Sequence, residues 1–261
     1  MQQNPGEPRQ GDSYVQSLAR GLSTILAFGK EHPQLTLSEV AARAGLTRAG
    51  ARRILLTLEK LGYVKQQGRL FSLTPKILDL GYSYLSATPL WNLSTPYMEE
   101  VATATHEACS ISVLEGTEVV YILRIATHRI MTVNLSIGSR LPAWVTSMGR
   151  VLLAGLPTEK CREILSDSDL SPLTEHTVTD IEQLQDIITQ TRQQGYAYVV
   201  QELEEGLHSI AVPIHDRDRN VIAAMNVSGH IARNSRDEML NEFLPHLLVA
   251  ARKISNTLAR I

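Results

Sequence analysis

"LSEVAARAGLTRAGARRILLTLEKLGYV", Leu37 to Val64, decides the fold of the first part of the chain. Two apolar-periodic segments meet at Gly45, which enters a left-handed turn without a Cβ penalty. The spacing predicts a helix over Leu37–Ala44, with Ser38 near its start, Val40, Ala41 and Ala44 facing inward, and Leu46 plugging the corner. Thr47 then caps a second helix. With Ala51 at the centre of its buried face, Ile54, Leu55, Leu58 and Leu61 share that face. Ala49, Arg52, Arg53, Leu56 and Lys60 fall on the opposite arc, and Arg48 lies at the flank near the helix N-terminus.

A helix, a glycine turn and a capped basic helix describe a helix-turn-helix, whose second helix enters the DNA major groove. There an arginine donates two hydrogen bonds to guanine or pairs with phosphate. The small residues Ala49 and Gly50 are expected to allow close approach. After Gly62, "YVKQQGRLFSL" has two strand-like runs around Gln67-Gly68, a hairpin signal. Helices followed by a basic hairpin make a winged helix-turn-helix, with Lys65 and Arg69 reaching backbone phosphate. Outward arginines usually only solvate a helix. Here helix, turn, capped basic helix and wing occur in register, which favours DNA contact by Thr47, Arg48, Ala49, Arg52, Arg53, Lys65 and Arg69.

Ahead of this module, "SYVQSLARGLSTILAFGK" reads as a helix capped by Ser13, with Val15, Leu18, Leu22, Ile25 and Leu26 at helical spacing and His32-Pro33 as its end. Met1 to Ser13 is rich in Gln, Pro and Gly and is expected to be a disordered tail. The 261 residues, 43% hydrophobic, are enough for two domains. A net charge of −2 conceals an asymmetry: Tyr14–Pro75 carries +6 and Lys76–Ile261 carries −7. The basic part is suited to a polyanion and the acidic part to something else. Two cysteines without metal-ligand spacing and no secretory leader imply a reduced, cytoplasmic setting, and no apolar run is long enough for a membrane span.

Thr74–Ser86 reads as a linker helix with Pro75 in its first turn, and "STPYMEEVATATHEA" continues helically. Strand-like runs follow at "CSISVLEG", "EVVYILRIAT" and "MTVNLSIG". Then come helices at "SMGRVLLAGL", "TEKCREIL" and "DIEQLQDIITQTRQQG", two strands around "HDRDRN", and a closing helix over "DEMLNEFLPHLLVAARKISNTL". Adjacent strands with segregated helices argue for an α+β antiparallel sheet. In "LPAWVTSMGR" a helix starts with Thr146 or Ser147 as its cap. Its free N–H groups can bind a carboxylate, although an ordinary cap explains the residues as simply. Arg124 interrupts the apolar "VVYILRI". A buried arginine requires an anion, either a protein carboxylate such as Glu202 or a ligand, while an edge position facing water remains open.

Catalysis finds little footing. Ser147 can be combined on paper with histidines and carboxylates, but no "GxSxG" elbow constrains them. His208, His215 and His230 match no metal-ligand spacing, and no phosphate-binding glycine loop occurs. No enzyme activity, metal or cofactor is expected.

"SLARGLSTILAF", the helix-turn-helix, "LGYVKQQGRLFSLTPKILDLGYSYL", "GSRLPAWVTSMGRVLLA", "QELEEGLHSIAVPI" and "AAMNVSGH" together resemble the IclR-type bacterial transcriptional regulators, from about Tyr14 to the C-terminus. "LSIGSRLPAWVTSMGRVLLA" and "VQELEEGL" look most like the regulators of protocatechuate and 4-hydroxybenzoate breakdown, the branch leading to β-ketoadipate. The resemblance implies a tail over residues 1–13, a winged helix-turn-helix domain over 14–75, a linker helix over 76–86, and a GAF-like effector domain over 87–261. It implies a small organic acid bound beside this helix start at Ser147 and Met148, and the helix start itself adds Thr146 and Gly149 as candidates. Ser209, Asn226 and Ser228 lie opposite, where strands would project polar groups into an apolar interior, and Arg124 is a further candidate. The implied partners are a double-stranded DNA operator, a small aromatic carboxylate, further copies of the chain as a homodimer or tetramer, and RNA polymerase if it activates. Ile77, Leu80 and Tyr84 are the candidate seam between copies. The resemblance favours an activator of aromatic-acid catabolism; the alternatives are a repressor of another small-carboxylate pathway and a small-acid enzyme whose basic module serves only for interaction.

Overall fold

The computed structural model describes residues 14–87, 89–126 and 135–260. They divide into two compact units between Tyr84 and Leu85.

The first unit comprises α1 (Gln16–Leu26), β1 (Leu35–Thr36), α2 (Leu37–Arg43), α3 (Arg48–Lys60), β2 (Val64–Gln67) and β3 (Leu70–Leu73). Its sheet runs β1-β3-β2 and is antiparallel, so the two residues of β1 complete the hairpin. Val40, Leu55, Leu58, Val64 and Phe71 form the core with Ala27 and Leu35. The cap of α2 is Thr36, just ahead of Ser38. Thr36 forms a capping box with Glu39, whose carboxylate accepts the Thr36 N–H at 2.7 Å. Gly45 takes φ +64°, and Leu46 N–H closes the turn by donating to the Ala41 carbonyl at 2.8 Å.

Three expectations change here. Helix α1 starts at Gln16 and ends at Leu26, short of His32-Pro33; the proposed Ser13 cap lies outside the described residues. Its apolar stripe points outward: Val15, Leu18, Leu22 and Leu26 are exposed, while Thr24 and Ala27 on the other side are buried. Leu61 is exposed because α3 ends at Lys60, leaving Leu61 in the turn toward Gly62. The hairpin loop is Gly68-Arg69, one residue later than Gln67-Gly68, since Gln67 pairs with Leu70 and Gly68 has φ +62°. Thr74 then caps a 3₁₀ turn over Pro75–Ile77 that leads into α4 (Leu78–Ala87).

The second unit contains α5 (Pro89–Thr105), β4 (Ala108–Glu115), β5 (Glu118–Ile125), β6 (Arg140–Pro142), α6 (Ser147–Ala154), α7 (Thr158–Asp167), α8 (Ile181–Gln194), β7 (Ala197–Val200), β8 (Leu207–His215) and β9 (Val221–His230). It closes with α9 (Arg236–Glu238), a π-turn over Met239–Phe243, and α10 (Leu244–Leu258), so the single closing helix is interrupted. The antiparallel sheet has the order β6-β5-β4-β9-β8-β7. The expected strand "MTVNLSIG" falls largely outside the described residues, and its described end, residues 135–138, is not a strand.

Alternation along the strands sorts side chains onto two faces. Cys109, Ile111, Leu123, Ile210, Met225 and Val227 turn toward the helices α5 and α10. Ala211, Ala224 and Tyr121 turn the other way, toward α6 and its neighbours α7 and α8. The polar residues in register with this second set are what make the second face chemically distinct.

Candidate functional site

On the first unit, the Thr47 hydroxyl accepts the Gly50 N–H at 3.1 Å and fixes the start of α3. Thr47, Arg48, Ala49, Arg52 and Arg53 are all exposed, and so are Lys65 on β2 and Arg69 at the wing tip. Among the described residues, none of these five cations has a side-chain partner. Gly50 also serves the cap: a Cβ there would lie 3.2 Å from Thr47 Oγ1. Lys76 Nζ donates to the Leu61 carbonyl at 2.9 Å and sits over the Tyr63 ring, bracing the turn before the wing.

In the second unit, the register of the sheet aligns Arg124, Ser110, Asn226 and Ala211 in one cross-strand row on the α6 side. The next row brings Ser228 beside Ser209. Helix α6 starts above them. Thr146 caps it by accepting the Gly149 N–H at 3.1 Å, which leaves the N–H groups of Ser147 and Met148 as the open ones of the first turn. Gly149 is obligatory for another reason, because a Cβ would stand 2.0 Å from the Ala143 carbonyl oxygen. The Ser209 hydroxyl donates to Ser147 Oγ at 2.8 Å, and the Ser112 hydroxyl donates to Met148 Sδ at 3.2 Å. Asn226 Nδ2 donates to Ser228 Oγ at 3.0 Å, while Asn226 Oδ1 is buried with no partner among the described residues.

Arg124 is half-buried and donates to Ser110 Oγ at 3.1 Å. Its partner is therefore neutral, and burial pulls its pKa down, opposed by Tyr121 and Cys109. The same burial pushes the Tyr121 hydroxyl up to about 12, despite Arg124, so it is a neutral donor. Glu202 does not pair with Arg124. Three strands separate β5 from β7, after which Glu202 lies, and Glu202 instead receives Arg150 Nη1 and Nη2 at 2.7 and 2.6 Å.

The structure thus gathers Arg124, Ser147, Met148, Ser209, Asn226 and Ser228 around one face of the sheet. Thr146 and Gly149 shape the helix start, with the Gly149 N–H already taken. Sequence reasoning missed Ser110, Ser112, Tyr121 and the Arg150–Glu202 pair. The serines were discoverable, since "CSISV" places two small polar residues two apart on one face of an apolar strand. Among the described residues no three His, Cys, Asp or Glu side chains are grouped to hold a metal, and no helix is long and apolar enough to cross a membrane.

The chain matches the IclR helix-turn-helix domain over residues 17–68 and the bacterial transcriptional regulator IclR C-terminal domain over residues 82–256. It is 47% identical to the Pca regulon regulatory protein of Pseudomonas putida, over 94% of this chain and 84% of that protein. It is 33% identical to the p-hydroxybenzoate hydroxylase transcriptional activator of Acinetobacter baylyi, over 94% and 92%. An IclR homolog from Microbacterium hydrocarbonoxydans, solved in complex with 4-hydroxybenzoate, superposes with a TM-score of 0.83 at 26% identity, over 94% of this chain and 100% of that one.

Proposed function

The chain belongs to the IclR family of bacterial transcriptional regulators, and from that premise we propose how it senses an aromatic acid and passes the signal to DNA. It is a ligand-responsive regulator of aromatic-acid catabolism. The effector is a hydroxybenzoate, protocatechuate or 4-hydroxybenzoate, and the chain acts as an activator. Its carboxylate lies against the Ser147 and Met148 N–H groups and Arg124, its ring against Met148, and its ring hydroxyl donates to Asn226 Oδ1. The observation that carries this assignment is the polarity of the face below α6. Among the described residues Arg124 has a neutral partner and Asn226 Oδ1 has none, so one end calls for an anion and the other for a hydroxyl donor.

Residues Arg48, Arg52 and Arg53 read the operator and Lys65 and Arg69 position the wing on phosphate. Two half-sites require at least two copies. The exposed apolar residues Leu18, Leu22 and Leu26 of α1, with Val15 just ahead of it, and Leu80 and Tyr84 of α4, supply surface for that pairing. The acid acts by binding one arrangement of the paired domains more tightly than the other, and no catalytic step is involved.

Fluorescence anisotropy on promoter DNA from the regulated catabolic genes tests this. Adding 4-hydroxybenzoate or protocatechuate should change operator affinity, and indifference to every hydroxybenzoate would remove the effector assignment.

A further inference from the structure

Strand β7 forms one edge of the six-stranded sheet. Its sequence, "AYVV", has no charge and no proline, and its register with β8 is regular, so neither charge, proline nor a bulge blocks pairing along this short edge. The opposite edge is protected: β6 carries Pro142 and Arg140, which is ion-paired with Glu115 and Glu118. Gln201 N–H donates to the Leu207 carbonyl. Ladder parity therefore turns the N–H and C=O groups of Ala197 and Val199 toward β8 and those of Tyr198 and Val200 outward. Among the described residues, these four outward groups have no partner.

This edge is recessed. It lines a cavity of about 340 Å³, walled by Ile187 and Gln190 of α8 on one side and by Arg236 and Leu240 on the other. Ala197 packs with the α8 layer and Tyr198 with the Leu240 layer, so a strand laid along the edge would send alternate side chains toward the two walls. Arg236 is exposed and has no acidic partner among the described residues.

We propose that this groove accepts an extended segment of a protein partner as an added strand, with an acidic side chain of that segment against Arg236. Peptide backbone fits because the edge alternates donors and acceptors, whereas a free carboxylate would meet two outward carbonyls with nothing to donate to them. The charge of Arg236 selects acid on the Leu240 side. A second copy of this chain does not fit: an edge set between two walls cannot meet the same recessed edge, and pairing about a two-fold would bring Arg236 toward its own copy.

The test is selection of a randomised heptapeptide phage library on the full chain, with the Arg236→Glu variant as counter-target. The expected result is an enriched acidic consensus whose synthetic peptide binds the wild type and loses roughly tenfold or more on Arg236→Glu. N-methylation of alternate backbone amides should abolish binding. Hydrogen exchange should slow at the Tyr198 and Val200 amides when the peptide is added. Failure to enrich any sequence, or binding indifferent to both N-methylation and Arg236→Glu, overturns the proposal. Protection of Tyr198 and Val200 that rises with protein concentration, without peptide, overturns it in favour of a second copy. Arg236 is exposed, so an unchanged melting curve shows that the variant folds.

Discussion

Arg150 of α6 places both terminal nitrogens on the two carboxylate oxygens of Glu202, at 2.7 and 2.6 Å, and its Nε donates to the Trp144 carbonyl at 2.9 Å. Both residues are buried. The helix whose first turn is the proposed acid site is thereby tied to the loop after β7. Glu202 also receives the Val178 N–H at 3.1 Å, which joins a third segment to the same anchor.

Removing one partner leaves a buried charge uncompensated. Glu202→Ala should destabilise the effector unit by about 3–5 kcal/mol, whereas the double replacement Arg150→Met, Glu202→Leu should cost much less. Urea denaturation of the three proteins measures this. Equal losses for the single and double variants would show that packing, rather than unpaired charge, sets the cost.

Gly149→Ala forces a methyl group into the Ala143 backbone, which α6 can relieve only by moving. A loss of at least about 2 kcal/mol is expected, together with weakened acid binding because Ser147 and Met148 shift. An undisturbed melting temperature would contradict that close approach.

On the DNA side, Arg52→Ala or Arg53→Ala should cost about 1–3 kcal/mol of operator binding with little effect on nonspecific DNA, if either reads a base edge. Lys65→Ala should weaken both alike and reduce the salt slope. Anisotropy titrations at several salt concentrations separate the two. Wild-type affinity for both arginine variants would exclude α3 from the groove.

Stability should depend on pH through His208, whose Nδ1 lies 3.0 Å from Tyr198 Oη and whose Nε2 is buried without a partner among the described residues. Burial holds its pKa below the ordinary 6.5, and His230 and Arg233 push the same way. Burial also lowers His215. As pH falls through 6.5, the unfolded chain takes up protons that the folded chain does not, so this stability is present above 6.5 and is lost on acidification toward the folded pKa. Denaturation midpoints from about pH 5 to 7.5 should fall on acidification, and His208→Gln should flatten the slope. An unchanged slope in that variant would assign the dependence elsewhere.

Much of the DNA module was legible because its signals are local. Gly45, the Thr47 cap and the outward arginines follow from periodicity and φ preference alone. The α1 stripe was legible as a helix but not as a surface, since spacing cannot say whether an apolar face meets its own core. In the effector unit, strand β7 escaped notice: four residues are too short a run to establish an alternation. Which of the open alternatives Arg124 takes was not legible for a related reason. Which cation reaches a carboxylate depends on strand order, and Arg124 and Glu202 lie at opposite parts of the sheet. Asn226 and Ser228 could be placed on one face by their spacing, but an acceptor left without a donor becomes visible only once the packing is known.

Calorimetry of the full chain with 4-hydroxybenzoate, benzoate and phenol tests the effector site most directly. An anion site at Arg124 and the α6 start, with an acceptor at Asn226, predicts that 4-hydroxybenzoate binds, that phenol gives no saturable heat, and that benzoate binds more weakly by about 1–2 kcal/mol. Arg124→Ala should weaken the hydroxybenzoate while leaving operator affinity without ligand unchanged. Equal binding of 4-hydroxybenzoate and phenol would contradict the site.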